Sequence, residues 1–156
     1  MLALTQQLIE CWRRRNLEIA IGATREQIEQ FEQTNQFYLP QSVRDYFLAS
    51  NGMGRRGHQF DEDFFSLWSL DDLAPMDQEF ENAGALIPEP DSYYVFADHS
   101  IGIIYYAMRL DSKADQRGRV IGFYPPYMKD AKVIIDFPTL PAFLEAYLQG
   151  PMANCM

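Results

Sequence analysis

The chain has 156 residues, 47% of them hydrophobic and 14% aromatic, with a formal net charge of −9. That length suits one domain, which can bury about 68–70% of its unfolded surface without help from a disulfide or a metal. The acidic balance excludes a nucleic-acid binder, which needs basic surface to displace counterions, and it excludes docking on anionic lipid. What remains for the charge is solubility or the attraction of a basic partner. The 11 Phe, 9 Tyr and 2 Trp favour a well-filled core containing sheet.

Cys11 and Cys155 are the only cysteines. Two isolated thiols suit a reducing cytoplasm, and nothing in the spacing supports a bond between them. The N-terminus has no basic region followed by a continuous apolar stretch, so no signal peptide is expected. No apolar run approaches the roughly 18 residues of a membrane span.

A first helix is predicted over 5–15, with Leu4, Leu8, Cys11, Trp12 and Arg15 on one side. Arg13, Arg14 and Arg15 then suit the dipole of its last turn, an anion-binding patch being the functional alternative. Residues 16–22 read as a connector anchored by Ile19 and Ile21. Thr24-Arg25-Glu26-Gln27 fits a capping box that opens a second helix. Ile28 and Phe31 give its inward face, and Glu26, Glu29 and Glu32 its wet one.

The stretch 39–52 reads as a third helix with both ends marked. Pro40 suits the first turn. Val43, Tyr46, Phe47 and Ser50 line one face, and Asn51-Gly52 supplies residues that tolerate positive φ at the stop. Leu48 falls outside that stripe and predicts cover on a second side. The following 52–58 is glycine-rich and locally basic. A phosphate-cradling loop follows a strand and precedes a helix, so this one reads as a mobile turn.

Strands dominate from there. Residues 64–68 predict the first, and Ser69-Leu70-Asp71-Asp72-Leu73 a short capped helical turn. Three prolines, five acids and little periodicity make 74–92 a loop with one irregular turn. Residues 93–97 form a strand, Asp98-His99-Ser100 a turn, and 101–110 another strand with Gly102 as a bulge. After a polar loop over 111–118 come strands at 119–124 and 133–136, separated by Pro125-Pro126. Thr139 caps a closing helix through 149, with Leu140, Phe143, Leu144, Tyr147 and Leu148 inward and Gly150-Pro151 as the stop. The short connections imply antiparallel neighbours. The expected fold is α+β, one domain over 1–156 with a flexible tail at 151–156. An antiparallel sheet of about 4–6 strands carries the N-terminal helices and the C-terminal helix on one face. Exposed sheet edges leave a monomer or a weak homodimer open.

No catalytic constellation is legible. His58 and His99 with Asp61 and Asp98 are the only metal candidates, and no spacing pairs them, so neither metal nor cofactor is expected. Ser100, His99 and Asp98 are adjacent on one turn and do not converge as a triad. The G-x-S-x-G elbow is absent, and Asp61 with Asp63 reads as hydrated surface rather than a glycosidic pair. The acids Asp61, Glu62, Asp63, Asp71, Asp72, Asp77, Glu79 and Glu81 form a dense segment. If they share a face, that face attracts a basic protein. The candidate partner-binding residues are Asp61, Glu62, Asp63, Phe64, Trp68, Asp71 and Asp72, with Tyr127 as a further aromatic anchor.

The chain also resembles a known family. Gly22-Ala23-Thr24 with Glu26, Ile28 and Phe31 carry the resemblance, as do Leu39 through Leu48 and Ser50-Asn51-Gly52. Phe65-Ser66-Leu67, Ser69 through Leu73, Val95 through Asp98, Tyr105 through Met108, Ile135-Asp136-Phe137 and Phe143-Leu144 extend it over nearly the whole chain. These residues are similar to the SUKH superfamily, which includes fungal cell-wall-assembly regulators and many bacterial immunity proteins. The resemblance implies an α+β interaction module with no shared catalytic residues. The expected function is therefore a non-catalytic, cytoplasmic protein that neutralises a nuclease-type toxin by occluding it. A regulatory scaffold for a cellular protein is the alternative, and a small hydrolase or metal-dependent enzyme a remote one.

Overall fold

Three helices lead the chain in the computed structural model, which describes residues 1–111 and 116–150. The expected flexible tail, Cys155 and the middle of the 111–118 loop lie outside the described residues. Helix α1 (Leu2–Arg14) starts earlier than its apolar stripe, because the Thr5 hydroxyl donates to the Met1 and Leu2 carbonyls and closes the first turn. It buries Leu8 and Trp12. Helix α2 (Arg25–Asn35) opens on the expected capping box. Thr24 Oγ1 accepts from the Gln27 N–H at 3.1 Å, and Gln27 Oε1 accepts from the Thr24 N–H at 2.8 Å. Helix α3 (Gln41–Ala49) follows Pro40 and buries Val43, Tyr46 and Phe47.

Two expectations for these helices fail. Glu32 faces inward at 4% exposure: its carboxylate accepts from the Leu39 N–H at 2.7 Å and pairs with Arg44, tying α2 to α3. An acid with those partners is stable inside, which periodicity along α2 alone does not reveal. Leu48, expected under cover, is exposed. The Asn51-Gly52 stop does form. Asn51 Oδ1 accepts from the Leu70 N–H at 2.8 Å. Gly52 sits at φ 61°, where a Cβ would lie 2.5 Å from the Trp68 carbonyl oxygen. Only glycine allows that approach, so the end of α3 is pinned to the sheet.

The strands are β1 (Phe65–Leu67), β2 (Ala74–Pro75), β3 (Tyr93–His99), β4 (Ile104–Arg109), β5 (Val120–Tyr124) and β6 (Lys132–Phe137). All pair antiparallel in the order β1-β3-β4-β5-β6, and β2 pairs with β3 as well. Helix α5 (Leu140–Gln149) closes the chain, with Thr139 Oγ1 accepting from the Ala142 N–H at 3.2 Å. The fold is the expected α+β sheet with N-terminal helices and a C-terminal helix.

One sheet face is covered by the long helices. Leu8, Trp12, Val43, Phe47, Phe143 and Leu144 pack there against strand residues such as Phe65, Phe96 and Tyr106. The other face corrects the reading of 74–92 as loop. This segment folds into helix α4 (Met76–Glu79) and two 3-10 turns. It places Met76, Phe80, Ala83 and Ile87 on Trp68, Val95, Tyr105, Ala107, Ile121 and Phe123, so the sheet is buried from both sides.

The β3–β4 connection also differs. Asp98 and His99 belong to β3, paired with Tyr105 and Ile104, so the turn is 100–103. Gly102 is a turn residue at φ 80°, and the bulge falls between Val95 and Ala97. Ser69 does not cap the turn after β1: its hydroxyl donates to Asp72 Oδ2 at 2.8 Å instead.

Candidate protein-binding surface

The β3–β4 turn is held in an unfavourable backbone. Ser100, Ile101 and Gly102 take φ of 56°, 54° and 80°, and Phe64 before β1 takes 62°. For a β-branched residue such as Ile101 the left-handed region costs about 1–2 kcal/mol. Neighbouring contacts impose it. The Phe64 carbonyl accepts from the Ser100 N–H at 3.1 Å, and the Tyr127 hydroxyl donates to the Gly102 carbonyl at 3.4 Å. Tyr105 lies against the turn, so a Cβ on Gly102 would meet its hydroxyl at 2.8 Å.

This geometry gathers Phe64, Ile101, Ile103 and Tyr127 at one end of the sheet. Their exposures are 54%, 69%, 49% and 71%. Clustered apolar side chains in water mark contact surfaces, especially on strained backbone. The floor beside them is polar but satisfied. Trp68 Nε1 donates to Asp98 Oδ1 at 2.8 Å, and the Arg56 guanidinium lies 4.0 Å from the Trp68 ring while pairing with Glu79 at 2.5 Å. Burial pushes the Asp98 carboxyl up, opposed by the Trp68 hydrogen bond and by Arg56. Burial, with the neighbouring Tyr127 hydroxyl, raises the Tyr105 phenol to about 12.

The acidic segment is divided. Asp61 is interior: its Oδ1 accepts from the Asp63 and Phe65 N–H groups, both at 2.9 Å. Its Oδ2 accepts from the Tyr147 hydroxyl at 2.6 Å and from Arg15 at 3.2 Å. With its side chain fully covered, Asp61 holds the fold rather than presenting charge. Trp68 is likewise buried. Glu62 is exposed, 3.5 Å from Arg15, and Asp63 is half-buried. Both adjoin Phe64 in sequence, ahead of β1. Asp71 and Asp72 follow β1. Asp71 is exposed, while Asp72 Oδ2 accepts from the Arg56 N–H at 2.7 Å. The structure thus gathers Glu62 and Asp63 on Arg15 at the end of α1, just ahead of Phe64 in sequence, and holds Asp72 at the Arg56 backbone instead. Ile101 and Ile103 escaped sequence reasoning because 101–110 reads as continuous strand.

The metal and triad candidates do not assemble. His58 is exposed and lies 2.8 Å from Glu18, whereas His99 is buried and stacked on Phe65 at 4.1 Å. Burial lowers the His99 pKa, against the pull of Asp61, Asp63 and Asp98. Strand alternation sends Asp98 to Trp68 on one face and His99 to Phe65 on the other. Among the described residues no three His, Cys, Asp or Glu side chains group as a metal site. No helix among them is long and apolar enough to cross a membrane.

The profile of the SMI1 / KNR4 family (SUKH-1) matches residues 22–146, starting at the Gly22 that opens the resemblance seen in the sequence. The chain belongs to this family. No curated protein matches the chain. Family membership fits an immunity or protein-binding role.

Proposed function

Proceeding from that membership, we propose that this protein is a non-catalytic immunity module that neutralises a basic, nuclease-type toxin by covering its active surface. The observation that carries the reading is the exposed Phe64, Ile101, Ile103 and Tyr127 cluster, with Glu62 and Asp63 just ahead of Phe64 in sequence, on a chain of net charge −9. A nuclease presents basic surface to its nucleic acid. The acidic protein draws that surface by long-range attraction, which raises the association rate. The apolar side chains then supply the desolvated anchors that hold the complex, and nucleic acid is kept out. The protein acts in the cytoplasm, where such a toxin meets its substrate, as a monomer or weak homodimer.

The test uses the purified protein as bait in lysate of its own cells, including cells secreting their effectors, at low and high salt. Capture of a basic toxic protein is expected, weakened by salt, abolished by Ile101→Asp and matched by protection of cells. Capture of a resident regulator alone, with no protection, overturns the immunity reading in favour of a scaffold.

A further inference from the structure

Past the end of α4, on the sheet face opposite the long helices, an open pocket of about 360 Å³ is walled by aromatic rings. The Phe80 ring meets Tyr105 edge to face, with centroids 4.9 Å apart and planes at 72°. The Tyr127 ring stands 6.1 Å from Phe80 at 48°. Phe80 and Tyr105 are largely buried and form the base, while Tyr127, 71% exposed, supplies most of the aromatic surface open to the pocket. Glu79, Glu81 and Asn82 line it as well, and Asn82 turns the chain there at φ 62°.

The lining selects by charge. Aromatic faces carry negative electrostatic potential and attract cations, and carboxylates beside them add to the attraction and repel anions. Glu79 is engaged by Arg56, but Glu81 is exposed and forms no ion pair with any described residue. A flat, weakly hydrated guanidinium suits such a space better than an ammonium, because it stacks on rings and forks onto a carboxylate at once. The protein makes this arrangement internally next door, where Arg56 lies over Trp68 and pairs with Glu79. Tyr127 belongs to both the pocket and the apolar cluster at the β3–β4 turn, so one partner can occupy both.

We infer that this pocket receives an arginine side chain of the partner protein, its guanidinium held among Phe80, Tyr105 and Tyr127 and paired with Glu81. The inference rests on the reading above for the claim that the arginine belongs to a protein partner, and it names the group by which that partner is recognised.

The pocket is tested without the partner, by NMR titration of the intact protein with N-acetyl-arginine methylamide. The citrulline analogue, of the same shape but uncharged, and the lysine analogue serve as comparisons. Saturable shifts at Phe80, Asn82, Tyr105 and Tyr127 are expected with arginine, weaker ones with lysine and none with citrulline. Tyr127→Ala and Glu81→Gln alter exposed side chains and leave the core intact; each is expected to weaken arginine binding by about fivefold. Equal response to arginine and citrulline, tighter binding of lysine, or unchanged binding by both variants overturns the inference. Arginine binding in a protein that captures no basic toxin would sink the immunity reading while leaving the pocket's guanidinium selectivity standing. Toxin capture without arginine binding would sink the pocket alone.

Discussion

The Tyr147 hydroxyl donates a 2.6 Å hydrogen bond to Oδ2 of Asp61 and accepts one from Trp12 Nε1 at 3.1 Å, so one buried oxygen links α5, α1 and the turn before β1. Burial and the Asp61 charge hold the Tyr147 phenol well above its usual range, which keeps it a donor. Tyr147→Phe strands Trp12 Nε1 and removes one partner of a buried carboxylate, and it is expected to cost about 2–4 kcal/mol in urea unfolding. Asp61→Ala also strands the Asp63 and Phe65 N–H groups and should cost more still. A Tyr147→Phe variant within about 0.5 kcal/mol of the parent would refute a stabilising role for this link.

His99 sets a pH dependence whose sign follows from its burial. Its folded pKa is depressed, so as pH falls the unfolded chain takes up the proton first. The stability His99 allows is therefore complete above about 6.5, its unfolded value, and is lost as pH falls from there through the folded value. His99→Gln should flatten the decline in unfolding free energy below about pH 6.5 by as much as ~1.4 kcal/mol per pH unit, the limit for one proton. Asp98, raised by burial, acts in the opposite sense in both proteins; loss of His99 also removes a charge that lowers the Asp98 pKa, so the flattening is read net of that smaller change. Parallel stability–pH curves for parent and variant would show that His99 protonates equally in both states.

The helices were legible because local chemistry specifies them: the Thr24–Gln27 box, the Val43, Tyr46, Phe47 stripe and the Thr139 cap each form as read. Family resemblance reached the same fold, and the two routes agree at Asn51-Gly52. Segment 74–92 reads as loop because prolines and acids interrupt it. Met76, Phe80, Ala83 and Ile87 nonetheless fall at +4, +7 and +11, a helical period that broken turns preserve without a continuous helix. The acidic segment misled for a different reason. Charge in a sequence does not say which carboxylates are consumed by the fold, and the partners of Asp61, namely Arg15 and Tyr147, lie 46 and 86 residues away along the chain. Backbone strain at Ile101 leaves no mark in composition at all.

Ile101 offers a separation of stability from function. Glycine accepts φ near 54° without steric cost, and the isoleucine side chain is mostly in water. Relief of strain outweighs glycine's entropic cost, so Ile101→Gly should be more stable by up to about 1 kcal/mol, read from the urea midpoint. The same change removes an anchor and should weaken the captured partner's Kd by about tenfold. A stabilised variant with unchanged Kd would mean that the turn is not a docking element.

Charge reversal at the two exposed acids flanking β1 distinguishes a local field from a global one. Glu62 lies two residues before Phe64 and reaches Arg15, whereas Asp71 lines a groove beside α2 with Glu26 and Gln30. Glu62→Lys and Asp71→Lys change the net charge equally. Screening limits each to about 8 Å at physiological ionic strength, so position decides the effect on a docking partner. Glu62→Lys should slow association several-fold at low salt, with the deficit shrinking as salt rises and dissociation little changed, as rim charges do. Asp71→Lys should slow it less. Stopped-flow association rates at about 0.05 and 0.5 M salt make the comparison. Equal slowing by both variants would mean that only total charge steers the partner, and that the Glu62 edge holds no privileged place in docking.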